Sequence, residues 1–248
     1  MDIEAKNLSQ ELPARPVIKR FREDAHPIFV VYGAPPNFKE VLSGFRDHFQ
    51  GAAAYLYLSV DMGLKKRETP GETCFEIVRQ LVDSLIDTTT DPNGKGQLLE
   101  TFRLLVNVKE KTQAYAPEDK LAEFVRYAEF SCYPALGTVL SNRKDPIIIE
   151  FRQFEKVAVW GPKIHNFIFE SLLNTLVGVD LRFVLFVQSP QKPSLFYGSN
   201  EEGGREWVTF YKLEGPESED ASEREYNNYR KIPLIPPLEK GEVFKLTT

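Results

Sequence analysis

Three short stretches of the chain are apolar almost throughout, not at alternate positions: Ile28-Phe29-Val30-Val31-Tyr32, Ile147-Ile148-Ile149 and Leu181-Arg182-Phe183-Val184-Leu185-Phe186-Val187. A strand with one wet face alternates apolar and polar residues. A run apolar on both faces suits a strand inside a parallel sheet covered on both sides. The segments between supply the covers. From Asn37, a candidate N-cap, Phe38, Val41, Leu42, Phe45 and Phe49 recur at helical spacing, and so do Phe75, Val78, Val82 and Leu85. Further helices are expected over 96–111, over 117–140 with a break near Pro134, and over 163–177. A second strand is expected over 52–60, and a more exposed, alternating one over 207–213. Strands alternating with helices predict an α/β fold of three layers, a mostly parallel sheet with helices on both faces.

The 248 residues are enough for one large α/β domain with appended arms. Residues 1–26, charged and holding Pro13 and Pro16, read as an N-terminal arm or packing strap. Residues 27–214 form the domain, and 215–248 an acidic loop followed by an extended segment. A composition of 42% hydrophobic and 27% charged residues is that of a globular chain. A net charge of -5 argues against nucleic acid as partner, because phosphate binding needs a clustered basic surface. Lys65-Lys66-Arg67 reads as a solvated loop. Cys74 and Cys132 make neither a zinc site nor a disulfide framework and fit buried free thiols in a reducing compartment. No stretch is long and apolar enough to span a bilayer, and no signal-peptide core is visible, so a cytoplasmic location is expected.

An apolar strand, a glycine-bearing turn and an amphipathic helix is the setting of a phosphate-binding P-loop, G-x-x-x-x-G-K-[ST]. Here the text is Gly33-Ala34-Pro35-Pro36-Asn37-Phe38-Lys39-Glu40. Gly33 and Lys39 fall in register, but the rest does not serve phosphate. Phe38 replaces the glycine past which the backbone approaches phosphate. Pro35 and Pro36 lack N–H donors. Glu40 replaces the hydroxyl that holds magnesium, and at about 4 Å like charges repel by roughly 4 kcal/mol at an effective dielectric of about 20. Lys39 also reads as an ordinary surface lysine on a helix.

The other half of such a site is a carboxylate pair ending a later strand. Ile147-Ile148-Ile149-Glu150-Phe151-Arg152-Gln153-Phe154-Glu155-Lys156 has the apolar run and a trailing Phe-Glu-Lys. With these residues the chain resembles the nucleotide-binding core of STAND and related AAA-type ATPases. In that family two acidic residues commonly precede such a Phe-Glu-Lys; aligned on it, Arg152 and Gln153 occupy the acidic positions, while aligned on the apolar run only Glu150 could serve. Gln188 or Ser189 resembles the sensor position, and Lys231-Ile232-Pro233-Leu234-Ile235-Pro236-Pro237-Leu238 resembles the linker into a helical lid, for which no sequence follows. The resemblance runs over residues 27–245 and implies a P-loop NTPase-like fold. Its degenerate motifs imply an inactive STAND-like domain, a scaffold or adaptor in signalling and not a hydrolase, with a protein partner and neither cofactor nor metal.

Other motifs carry less. Asn93-Gly94-Lys95-Gly96 reads as a turn, and Thr89, Asp91, Asn93, Gly94 and Glu100 match a calcium loop only imperfectly. His26, His48 and His165 have no metal or catalytic spacing, and there is no G-x-S-x-G elbow. Trp160, in a loop on the side of the sheet where α/β proteins carry their sites, is a candidate protein contact. Two rival readings stand beside the scaffold: a domain that binds nucleotide without hydrolysing it, with Gly33 and Lys39 on the phosphate, and an unrelated Rossmann-like enzyme.

Overall fold

In a computed structural model of the chain, residues 12–63, 69–196 and 207–214 are described. The described residues up to Leu213 belong to one compact unit. The acidic loop, the extended 232–238 segment and the basic run at 65–67 lie outside the described residues.

The first helix, α1 (Arg15–Glu23), precedes strand β1 (Ile28–Gly33) and helix α2 (Phe38–Gln50). Strand β2 (Leu56–Asp61) leads to α3 (Pro70–Thr88), α4 (Pro92–Lys111) and α5 (Pro117–Tyr127). A π-helical turn, Ala128–Cys132, joins α5 to α6 (Tyr133–Ser141), before β3 (Ile147–Arg152). The chain continues through α7 (Gly161–Ile164), a second π-helical segment (His165–Glu170) and α8 (Ser171–Thr175) to β4 (Leu181–Gln188) and β5 (Val208–Lys212). The expected break near Pro134 begins upstream of it, in the π turn. The widened backbone there precedes a proline that cannot donate a helical hydrogen bond.

The five strands pair in the order β2-β3-β4-β1-β5, and every pairing is parallel. Alternation along each strand divides the core in two. Phe29, Val31, Ile148, Val184 and Phe186 face α1 and α2. Ile28, Val30, Leu58, Ile149, Phe151, Phe183 and Leu185 face the larger group of helices that begins with α3. The expected layered α/β architecture, with helices on both faces, is present.

The stretch read as an N-terminal arm contains α1, and α1 belongs to the core. Val17, Ile18 and Phe21 are buried, and the Phe21 ring meets Phe29, Phe45 and Phe49 edge-on, with centroids 5.3 to 5.6 Å apart. Arg182, one strand residue with a charge, explains itself there. Its guanidinium lies 3.8 Å over the Phe21 ring and donates to the Phe21 carbonyl at 2.6 Å. The apolar positions of α1 are spaced for one helical face, but the arginines and lysine between them mask the pattern.

Candidate functional site

The parallel strands end at one edge, where β1, β3 and β4 deliver the residues singled out above. Gly33, last in β1, has φ +147°, and a Cβ there would stand 2.5 Å from the Leu213 carbonyl oxygen. Its lack of a side chain is used by the chain leaving β5, whose Leu213 N–H donates to the Tyr32 carbonyl at 2.7 Å. The turn that follows closes on itself. The Phe38 N–H donates to the Pro35 carbonyl at 3.1 Å, and the Glu40 and Val41 N–H groups donate to the Asn37 carbonyl at 3.0 Å. Asn37 occupies the N-cap position, but its side chain accepts no capping hydrogen bond. In a phosphate cradle such N–H groups point at the anion. Phe38 is 3% exposed and packs edge-on to Phe186, so it is a core residue. Lys39 and Glu40 are exposed, and Glu40 sits in the first turn of α2, where a carboxylate suits the helix dipole.

Glu150 is fully buried, and both of its carboxylate oxygens are engaged. Oε1 accepts from Arg46 Nη2 at 3.2 Å, while Oε2 accepts from Arg46 Nε at 3.3 Å and from Ser59 Oγ at 2.8 Å. Burial works against the Arg46 charge, but the Glu150 carboxylate outweighs it and holds the guanidinium pKa above its ordinary value. Burial, reinforced by the Glu150 charge, pushes the neighbouring Tyr57 phenol well up. An arginine from α2 and a serine from β2 therefore occupy the positions around this carboxylate that a bound cation would need.

The two residues in the acidic register, Arg152 and Gln153, turn toward a third acid instead. Arg152 Nη2 lies 3.1 Å from Asp61 Oδ2, and Gln153 Nε2 donates to Asp61 Oδ1 at 3.3 Å. The Gly63 N–H also donates to Oδ1, at 2.8 Å, and the Gln80 amide grips the Asp61 backbone, its Oε1 accepting from the Asp61 N–H and its Nε2 donating to the Asp61 carbonyl. Gln153 adopts a left-handed conformation, φ 55°, at the sharp exit from β3. Asp61 was hidden from sequence reasoning because it ends a strand without a neighbouring acid. Its position after the apolar Leu56–Val60 run was the one available signal. Arg46 had no such signal, being one charge on an amphipathic helix.

Around these groups lies a cleft of about 450 Å³, walled by Phe38 and Leu42 and lined by Lys39, Arg46, Arg152 and Lys156. Glu155 is the acid in its lining, with Oε2 accepting from the Gln188 N–H at 3.1 Å. Gln188, the sensor-like residue, thus meets the Phe-Glu-Lys segment through its backbone. The cleft brings together Phe38, Lys39, Arg152 and Gln153. Glu150 lies behind it, paired to the lining residue Arg46.

Trp160 lies in a separate apolar groove of about 710 Å³ between the start of α3, α5 and the two π-helical segments. Leu121, Val125, Phe130 and Phe167 line it, and Phe130 is 79% exposed. The Tyr133 hydroxyl, at the start of α6, donates to the Phe167 carbonyl in the second π segment. Such segments recur at functional positions in helices.

Elsewhere, Asp91 caps α4 by accepting from the Gly94 N–H at 2.7 Å, a role that accounts for its place in the calcium-like text. Among the described residues no group of three or more His, Cys, Asp or Glu side chains is placed to hold a metal ion. His26 bridges Asp24 and Thr209, His48 meets Arg22 at 2.8 Å, and burial lowers the pKa of His165. Among the described residues no helix is long and apolar enough to cross a membrane.

No known family profile matches the chain, and no curated protein does. Among solved structures it is similar to the Walker-type ATPase paby2304 of Pyrococcus abyssi, at 10% sequence identity and a TM-score of 0.40. That likeness covers 89% of this chain and 58% of the other, so the chain spans under two thirds of that protein.

Proposed function

We propose that the chain is a degenerate P-loop NTPase-like domain of STAND type that no longer hydrolyses nucleotide and acts as a protein-interaction or signalling scaffold. The observation that carries this reading is the state of Glu150. Its two oxygens are satisfied from within the protein, so magnesium would have to displace Arg46 and leave a half-buried guanidinium without its partner. The turn after β1 supports the same reading, because its Phe38 and Glu40 amides bond to its own carbonyls, Pro35 and Pro36 have no N–H, and Phe38 fills the position of the second glycine. Protein association in the cytoplasm takes the place of chemistry. The Trp160 groove supplies an aromatic, partly exposed surface of the kind that anchors partners. Turnover of magnesium-ATP by the full chain tests the proposal. The expected result is phosphate release no faster than in buffer, with Arg46→Ala doing no better. Turnover abolished by Glu150→Gln would defeat it.

The second reading, nucleotide held without hydrolysis, draws on one observation: Lys39 is exposed beside the cleft and pairs with no acid among the described residues. It requires side chains to replace the backbone donors that the turn has withdrawn.

A further inference from the structure

We infer that the cleft at the ends of β3 and β4 receives an acidic segment of a protein partner, whose carboxylates pair with Lys39 and Lys156. This deepens the scaffold reading above and rests on it.

The charge inventory of the cleft carries the inference. Four cations and one acid line it, on a chain whose net charge is -5. Two of the cations are already matched, Arg46 by Glu150 and Arg152 by Asp61. Lys39 and Lys156 are not matched: both are exposed, and neither has an acidic partner among the described residues. They approach the cleft from different elements, Lys39 from the first turn of α2 and Lys156 from the short turn after β3. The arginines between them are held in place by buried acids. Arg152 also keeps a buried Nε with no hydrogen-bond partner. Guanidinium groups held by acids and flanked by two exposed ammonium groups suit an anion that brings its own oxygens.

The same geometry favours carboxylate side chains over a nucleotide triphosphate. Triphosphate binding draws on convergent backbone N–H groups and a metal, and here the Phe38 and Glu40 amides bond to turn carbonyls, two prolines lack the donor, and Glu150 bonds to Arg46. Single carboxylates need neither. The half-buried Leu42 adds an apolar wall for the stems of acidic side chains. Attraction of this kind should be sensitive to salt.

The experiment uses the full chain and a fluorescein-labelled octapeptide of alternating Glu and Asp, followed by anisotropy at low salt. A glutamine octapeptide serves as the neutral control. The expected result is saturable binding of the acidic peptide alone, weakened about tenfold or more by Lys39→Glu with Lys156→Glu. Lys95→Glu, on the exposed start of α4 and outside the cleft, should leave binding unchanged. Lys39→Ala with Lys156→Ala provides a milder variant, and thermal melting confirms that each variant folds. Equal binding of both peptides, no binding of either, or insensitivity to the double reversal overturns the inference. So does inorganic phosphate that displaces the peptide at a lower concentration than free glutamate does. ATP turnover measured on the same preparation separates the two ideas. Without turnover, failure of peptide binding removes the acidic-segment inference alone, whereas turnover removes the scaffold reading beneath it.

Discussion

Arg46 and Glu150, 104 positions apart in sequence, meet through a two-pronged hydrogen bond in which the carboxylate is fully buried. Helix α2 carries the arginine and strand β3 the acid, so the pair ties the helix after β1 to the sheet. At this edge of the sheet an internal cation sits against the strand carboxylate.

Removing one partner should cost far more than removing both. Arg46→Ala leaves a buried carboxylate unpaired, and we expect a loss of about 3 kcal/mol. The figure is at the low end for such pairs because Arg46 is 26% exposed. Arg46→Met with Glu150→Met should lose much less than the sum of the single changes. Urea unfolding of the four proteins checks this; additive losses would mean that the pair contributes nothing as a pair.

How much of this was legible in the sequence differs by element. The apolar runs at Ile28, Ile147 and Leu181 marked β1, β3 and β4, because burial on both faces leaves a composition that a half-wet strand does not have. The helix after β1 was legible for the same reason, from Phe38 to Phe49. Helix α1 was missed because three buried positions were interleaved with charges that face away from the core. Of the candidate site, the sequence singled out Phe38, Lys39, Arg152 and Gln153, which the cleft brings together. It could not show that Arg152 and Gln153 reach Asp61, or that Arg46 reaches Glu150. These partners lie 91 to 104 residues apart, and only the parallel β2–β3 register and the packing of α2 bring them together.

Asp24 gives a pH-dependent stability. Burial raises its pKa, but hydrogen bonds from Thr209 and from the His26 backbone and ring outweigh this and hold it below its ordinary value of 3.8. A carboxyl depressed in the folded state stabilises the fold above its unfolded pKa and loses that contribution as pH falls through the folded one. Asp24→Asn should therefore cost about 1 kcal/mol at pH 7, and the difference should shrink on acidification below 3.8. Thermal melts of both proteins across pH 2 to 7 check the sign; a gap that widens in acid would contradict it.

Cys74 and Cys132 are buried, and burial pushes each thiol up to about 12. Both should resist iodoacetamide at pH 8 in the folded protein and react together once it is unfolded, because the thiolate is the reactive form. Mass spectrometry before and after denaturant reads the outcome. Rapid modification of the native protein would show that the core around α3 and the first π turn opens readily.

The account turns on whether the strand carboxylate is available to a metal-bound nucleotide. Isothermal titration of ATP into the full chain, with and without magnesium, tests this most directly. We predict no saturable heat with magnesium present and no difference when it is withheld. Saturable binding in the micromolar range that depends on magnesium and disappears in Glu150→Gln would contradict the account.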